Sequence, residues 1–171
     1  MIKDSGNRRD FGTGAVRDVA DGKGRCDLLP LDVVAMLVDA QELKLIELFK
    51  VKKDICNLLD AITTFTGTSK EDICTSMLEI SKHFEEGAAK YGDNNWKKGI
   101  PLHCYLDSAT RHFLKHLRGD TDEPHDRAFL WNLLCAIWTF THKPELDDVE
   151  KDLDAVTTLY ADNEKIQIRR G

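Results

Sequence analysis

No run of about 18 apolar residues occurs anywhere in the chain, so no segment reads as a membrane span. Residues 1–20 lack the apolar stretch of a secretory signal, and the expected compartment is the cytoplasm. Cysteine is sparse: Cys26, Cys56, Cys74, Cys104 and Cys135 include no CxxC pair, and an odd number cannot all pair within one chain. A disulfide framework and a cysteine-based zinc site are both disfavoured. A basic surplus is missing too. Lys and Arg total 24 against 30 Asp and Glu, a net charge of −6, which argues against a general nucleic-acid or anionic-membrane binder. GxxxxGK[ST] is absent, so there is no Walker phosphate loop. No segment shows a convincing strand alternation.

What remains is a globular composition, 42% hydrophobic and 32% charged, over 171 residues. That length suits one domain, or one with an appendage, and buries a core without staples. Residues 1–27 are rich in Gly, Arg, Lys and Asp and show no helical or strand period, so they read as an extended arm. Residues 28–171 read as one α-helical domain. Pro30 suits a first turn, and Val33, Val34, Leu37 and Val38 form a stripe that continues through Leu45, Ile46 and Phe49 to Leu58, Leu59 and Ile62. A break is expected near Lys50–Lys53. Ser69 with Asp72 approximates a capping box, and Ile73, Met77, Ile80, Phe84 and Ala88 then share one helical face up to Tyr91-Gly92. A helix from Leu102 to Arg118 should bury Leu106, Ala109, Phe113 and Leu117. The next opens at DTDEP, with Asp122 or Glu123 as cap and Pro124 in the first turn. From Ala128 to Phe140 it is apolar on nearly every side, as a central helix must be. A last helix is expected near Glu145–Tyr160. The fold class is therefore all-α, a bundle of about four core helices.

Three clusters can carry chemistry. In HFEEGAAKYGDNNW, Glu85 and Glu86 stand beside an apolar face and offer the oxygen ligands that Mg²⁺ and Mn²⁺ select. Glu86 with Lys90 reads equally as an i,i+4 surface pair. Asn95 and Trp96 can hold and stack a base, or Trp96 can plug the bundle end. In LDSATRHFLKH, Asp107 and Arg111 are one turn apart, either a salt bridge or a metal ligand beside a phosphate anchor. His112 and His116 have the spacing of a metal pair, although nothing completes a zinc set. In GDTDEPHDRAFLWN, Asp120, Asp122, Glu123 and Asp126 crowd a helix start, where the macrodipole favours them without any ligand. His125 and Asn132 lie two turns apart on one face, and a buried Asn132 needs partners, structural or from a purine edge. Arg17, Lys23 and Arg25 place positive charge among glycines of the arm, suited to an anion or simply solvated.

Taken together, FGTGAVRDVADGKGRCDLLP, FEEGAAKYGDNNWKKGIP, YLDSATRHFLKHLRGDTDEPH and Trp131-Asn132 resemble the phage dATP/dGTP diphosphohydrolase family, relatives of the MazG-like all-α pyrophosphohydrolases. Residues 31–70 then read as an insertion. The usual EExxE and ExxD pattern is altered here: Ala89 stands where the third acid would, and Thr110 follows Asp107. The resemblance implies hydrolysis between the α and β phosphates of dGTP or dATP with Mg²⁺ or Mn²⁺, in a phage nucleotide pool. Such ions bridge phosphate oxygens and activate the attacking water. It implies Glu85, Glu86, Asp107 and Asp122 as metal ligands, and His112 or His125 in proton transfer. Lys23, Arg25, Lys90 and Arg111 would meet phosphates, with Asn95, Trp96 and Asn132 near the base. It also implies a homo-oligomer, dimer or tetramer, partly because an arm of polar residues needs a surface to lie on. A house-cleaning pyrophosphohydrolase and a non-catalytic helical interaction protein are the alternative classes.

Overall fold

The computed structural model describes residues 6–20, Cys26, Leu29 and 31–149. Six α-helices dominate it: α1 Leu31–Val38, α2 Gln41–Lys52, α3 Ile55–Thr66, α4 Lys70–Tyr91, α5 Leu102–Arg118 and α6 His125–His142. Local chemistry sets the ends. Asp54 caps α3 by accepting from the Cys56 N–H, and Ser69 caps α4 by accepting from the Asp72 N–H. Gly119 ends α5 in the left-handed conformation at φ 83°, which a residue without Cβ adopts at no steric cost. The expected stripe from 33 to 62 is broken twice, at Asp39-Ala40 and Lys53-Asp54, where Asp39 and Lys53 take positive φ. Capping of α6 differs from expectation. Pro124 is the cap residue and no side chain caps the helix, because Asp122 turns to His125 instead. Past Pro144–Leu146, a single 3₁₀ turn, residues 147–149 are not helical, and the rest of the expected last helix lies outside the described residues.

α6 is the hub. Its buried residues, among them Ala128, Phe129, Leu133, Cys135 and Ala136, occupy a broad arc of the helix, and partly buried Trp131, Leu134 and Ile137 extend it, so neighbours must cover several sides. α5 covers one side through Phe113 on Phe129 and Tyr105 near Trp131. α4 covers another through His83 near Trp131 and Glu86 near Arg127. α2 and α3 close a further side with Phe49 edge-on to Phe140 and Phe65 edge-on to Phe129. Segment 31–70 is thus built into the core: Leu43, Ile46, Phe49, Leu58 and Ala61 are all 0% exposed. Leu117 is the exception to the predicted α5 stripe, 48% exposed in the last turn of the helix.

In both α4 and α5, contacts on α6 move down its sequence as they move up their own. Both therefore run opposite to α6 and in the same sense as each other. They are therefore not an antiparallel hairpin, the arrangement a ten-residue connection would also allow. Residues 92–101 run back along α6 to allow the shared direction, anchored where Trp96 meets Phe84 and Trp138 at ring-centroid distances of 5.5 and 5.1 Å. Trp96 is thus half-buried among core aromatics. Gly99 is required in this segment, since φ is 108° and a Cβ would lie 2.5 Å from Leu146 Cδ1.

The amino-terminal arm is also corrected. Arg8–Asp10 (β1) and Val16–Asp18 (β2) pair antiparallel as a hairpin, with Gly14 at φ 79° in its turn. Three-residue strands are too short to show a period. The hairpin lies on its own chain, held by Asn95 and Arg17. Asn95 grips β2 by both backbone polar groups of one residue, accepting from the Val16 N–H at 3.1 Å and donating to the Val16 carbonyl at 2.9 Å. Arg17 donates to the Cys104 carbonyl, Ser108 Oγ and Asn132 Oδ1 at 2.9, 3.1 and 2.9 Å, tying β2 to α5 and α6 together.

Removing the Asn95 amide leaves the Val16 N–H and carbonyl without these partners. Asn95→Ala should lower unfolding free energy by about 1–3 kcal/mol. It should also speed proteolysis within residues 8–18 before the helices open. Equal denaturant midpoints and equal cleavage rates for variant and parent would contradict that account.

Candidate functional site

Between the hairpin, the end of α4, the 92–101 segment, α5 from Cys104 to Lys115 and the first half of α6 lies an open cavity of about 780 Å³. That is the size of a small-molecule site. One wall is aromatic, with Phe84, Trp96 and Trp131. The same cavity is lined by cations from two elements: Lys90 near the end of α4, and Arg111 and Lys115 one turn apart on α5. An apolar wall together with ammonium and guanidinium groups fits a flat ring joined to a polyanion.

Of the expected metal ligands, Glu85 and Asp107 line this cavity together. Their shared level follows from Phe84 and Tyr105 both packing on Trp131, at 5.8 and 6.0 Å. Asp107 is buried, and its carboxylate accepts from the Cys26 N–H at 2.6 Å and from Arg111, which it holds in place. Glu86 faces α6, 3.9 Å from Arg127, rather than Lys90. Asp122 lies 2.8 Å from His125 Nε2 and 3.7 Å from Lys115. Those four acids do not converge on one point among the described residues.

Asn95 and Asn132 both border the cavity, but their amides are engaged: Asn95 on Val16, Asn132 as acceptor from Arg17 and donor to the Ala128 carbonyl at 2.7 Å. Lys23 and Arg25 lie outside the described residues. His116 is exposed and edges on Phe65, so it does not pair with His112.

His112 turns instead to the start of α6, where its Nδ1 lies 2.9 Å from His125 Nδ1. Glu123 Oε1 is 3.7 Å from each of those nitrogens. Burial, then the neighbouring His125 and Arg111, push the His112 imidazole down to about 3, so it is neutral at pH 7 with a lone pair to offer. Among the described residues, His112, Glu123 and His125 form one of two groups whose ligand atoms fall within 4.8 Å of one another; Asp120, Asp122 and His125 form the other. A divalent ion therefore fits the chemistry of this corner better than the Glu85–Glu86 pair does.

Two cavity residues, Lys115 and His83, are not among the candidates the sequence offers. Arg17, suited by sequence to an anion or simply solvated, pins the hairpin while its guanidinium lies 5.2 Å from the Tyr105 ring. His83 sat one position before the FEEGA run with no visible partner. It is 7% exposed on the cavity wall, its Nδ1 has no hydrogen-bond partner, and burial pushes it down to about 4. Its adjacency to Phe84, a stripe residue, was the available signal.

The fold and cavity define an all-α domain built around a cationic and aromatic small-molecule site. Residues 71–149, which supply α4 to α6 and most of the cavity, match the family model described as dATP/dGTP diphosphohydrolase, N-terminal. That segment holds three of the four stretches on which the resemblance rests, and FGTGAVRDVADGKGRCDLLP lies outside it. No curated protein and no solved structure matches the chain.

If the α5 cations form an anion site, inorganic tripolyphosphate should bind the protein in calorimetry. Lys115→Ala should weaken it about 10-fold or more, the loss of one charge-assisted contact. Unchanged affinity would place the anion elsewhere.

Proposed function

We propose that this protein hydrolyses purine deoxynucleoside triphosphates, dGTP or dATP, between the α and β phosphates, releasing monophosphate and pyrophosphate. The supporting observation is that one cavity joins an aromatic wall to Lys90, Arg111 and Lys115, within the segment that matches a diphosphohydrolase family. A purine stacks on the wall of Phe84, Trp96 and Trp131, and the phosphates run toward α5. Arg111, oriented by Asp107, meets phosphate oxygens as a rigid fork, and Lys115 and Lys90 neutralise the departing pyrophosphate. A divalent ion, Mg²⁺ or Mn²⁺, supplies further positive charge at the phosphates. Glu85, exposed on the cavity wall, presents a carboxylate toward the same region. The setting is the nucleotide pool of a phage-infected cell.

Pyrophosphate release across the eight common nucleoside triphosphates, with and without Mg²⁺ or Mn²⁺, tests this reading. Preference for dGTP or dATP supports it. Activity confined to damaged nucleotides transfers the site to house-cleaning, and no release from any nucleotide refutes hydrolysis. Glu85→Gln and Asp107→Asn should each cut turnover on the order of 10²-fold with the helical signal intact. Glu79→Gln, on the exposed face of α4 and paired only with Lys82 in the ion pairs described, should change little.

The protein is also proposed to be a homo-oligomer. The hairpin needs no partner chain, but α1 leaves Met36 and Leu37 79% and 80% exposed beside Val33 and Val38. An apolar strip of that kind is covered in most stable proteins. Light scattering at micromolar concentration should report a dimer or tetramer, and Leu37→Glu should shift it toward monomer. A parent protein that is already monomeric removes the proposal.

A further inference from the structure

We propose that His112 Nδ1, His125 Nδ1 and Glu123 Oε1 form a binding site for one divalent transition-metal ion. The argument begins with a tautomer. Asp122 Oδ1 lies 2.8 Å from His125 Nε2, and a carboxylate can only accept, so Nε2 carries the proton. The neutral ring then has its lone pair on Nδ1, which is the atom that faces His112 at 2.9 Å. This is how ligand histidines are held in metal sites: one nitrogen on the ion, the other donating to a carboxylate behind it. Asp122 is the positioning residue, and His125, 2% exposed, is the buried ligand it fixes.

His112 supplies the second nitrogen. Without an ion, its Nδ1–H donates to His125. On binding, that proton moves through solvent to His112 Nε2, so both Nδ1 lone pairs face the ion and no net proton is lost. Glu123 supplies the third ligand. At 3.7 Å from both nitrogens it is beyond hydrogen-bonding range of either, yet equidistant from them. The rival group of Asp120, Asp122 and His125 is already satisfied, since Arg118 clasps Asp120 and Asp122 accepts the His125 proton.

The ligand set decides the metal class. Two imidazoles and one carboxylate suit Mn²⁺, Fe²⁺, Co²⁺ or Zn²⁺, whereas Mg²⁺ takes oxygen ligands almost alone. Two histidines and one carboxylate on one side of an ion leave positions open on the other. His112 and Glu123 both line the cavity that Arg111 and Lys115 also line, so the site borders that space. The site does not depend on which nucleotide is cleaved, or on whether any is.

The test uses full-length protein stripped with a chelator, Mn²⁺ as the probe and no nucleotide. Pulsed electron paramagnetic resonance should show ¹⁴N coupling from imidazole on the bound Mn²⁺, and a 100-fold excess of Mg²⁺ should leave that signal in place. His112→Gln and Glu123→Gln should abolish the coupling or weaken binding at least 10-fold, and Asp122→Asn should weaken it about 10- to 100-fold. Circular dichroism checks that each variant is folded. The parent spectrum needs no variant, so a folding failure leaves the test standing. Bound Mn²⁺ without ¹⁴N coupling, or no Mn²⁺ binding, overturns the site. Nitrogen-bound Mn²⁺ in a protein that releases no pyrophosphate would retain the site and refute the hydrolase reading. Pyrophosphate release by a protein that shows no nitrogen-bound Mn²⁺ would do the reverse.

Discussion

A helix that is apolar on nearly every side cannot lie at a surface, and α6 imposes that constraint on everything else in this chain. Its 18 residues must be covered on several sides by elements that are themselves amphipathic. α5 and α4 supply two faces, and α2 and α3 a third. Because α4 and α5 both run against α6, the segment between them has to travel back along it. That return path carries Trp96 into the aromatic contacts and Asn95 to the turn end of the hairpin. The cavity is the space left where these two parallel-running helices diverge over α6.

Polar side chains then fasten what apolar packing cannot. The hairpin contributes Ala15 to the core but little else that is buried and apolar, so its position depends on Arg17 and Asn95. Arg17 reaches α5 and α6 at once, and its guanidinium also lies over the Tyr105 ring. Asn132 is the reciprocal feature: an amide inside an apolar helix, satisfied by Arg17 on one side and the Ala128 carbonyl on the other. A polar group at such a depth costs free energy unless it is fully paired, and here each bond also fixes a register.

Much of the helical skeleton was legible in the chain. Ser69, Gly92 and Gly119 marked helix ends through local chemistry, and the Ala128–Phe140 run identified its own helix as central. The hairpin was not legible, because two three-residue strands of mixed polarity have no period to detect. Nor was the relative direction of α4 and α5, since a ten-residue connection can serve a hairpin or a return path equally well. Among site residues, Glu85, Lys90, Asp107 and Arg111 reach a common cavity. Glu86 does not join them, because one residue along a helix is a turn of about 100° and carries it to Arg127.

The sequence by itself determined which segments are helical, which helix lies innermost and which motifs stand together, because periodicity, caps and glycines act within a few residues of themselves. Only the tertiary structure decided what those motifs meet. His112 has a sequence neighbour at helical spacing, His116, yet its partners are His125 and Glu123 from across a turn and the next helix. Arg17 and Asn132 are 115 positions apart and in contact. Distances of that kind are set by how α6 is covered, a property of the packed whole that no local pattern contains.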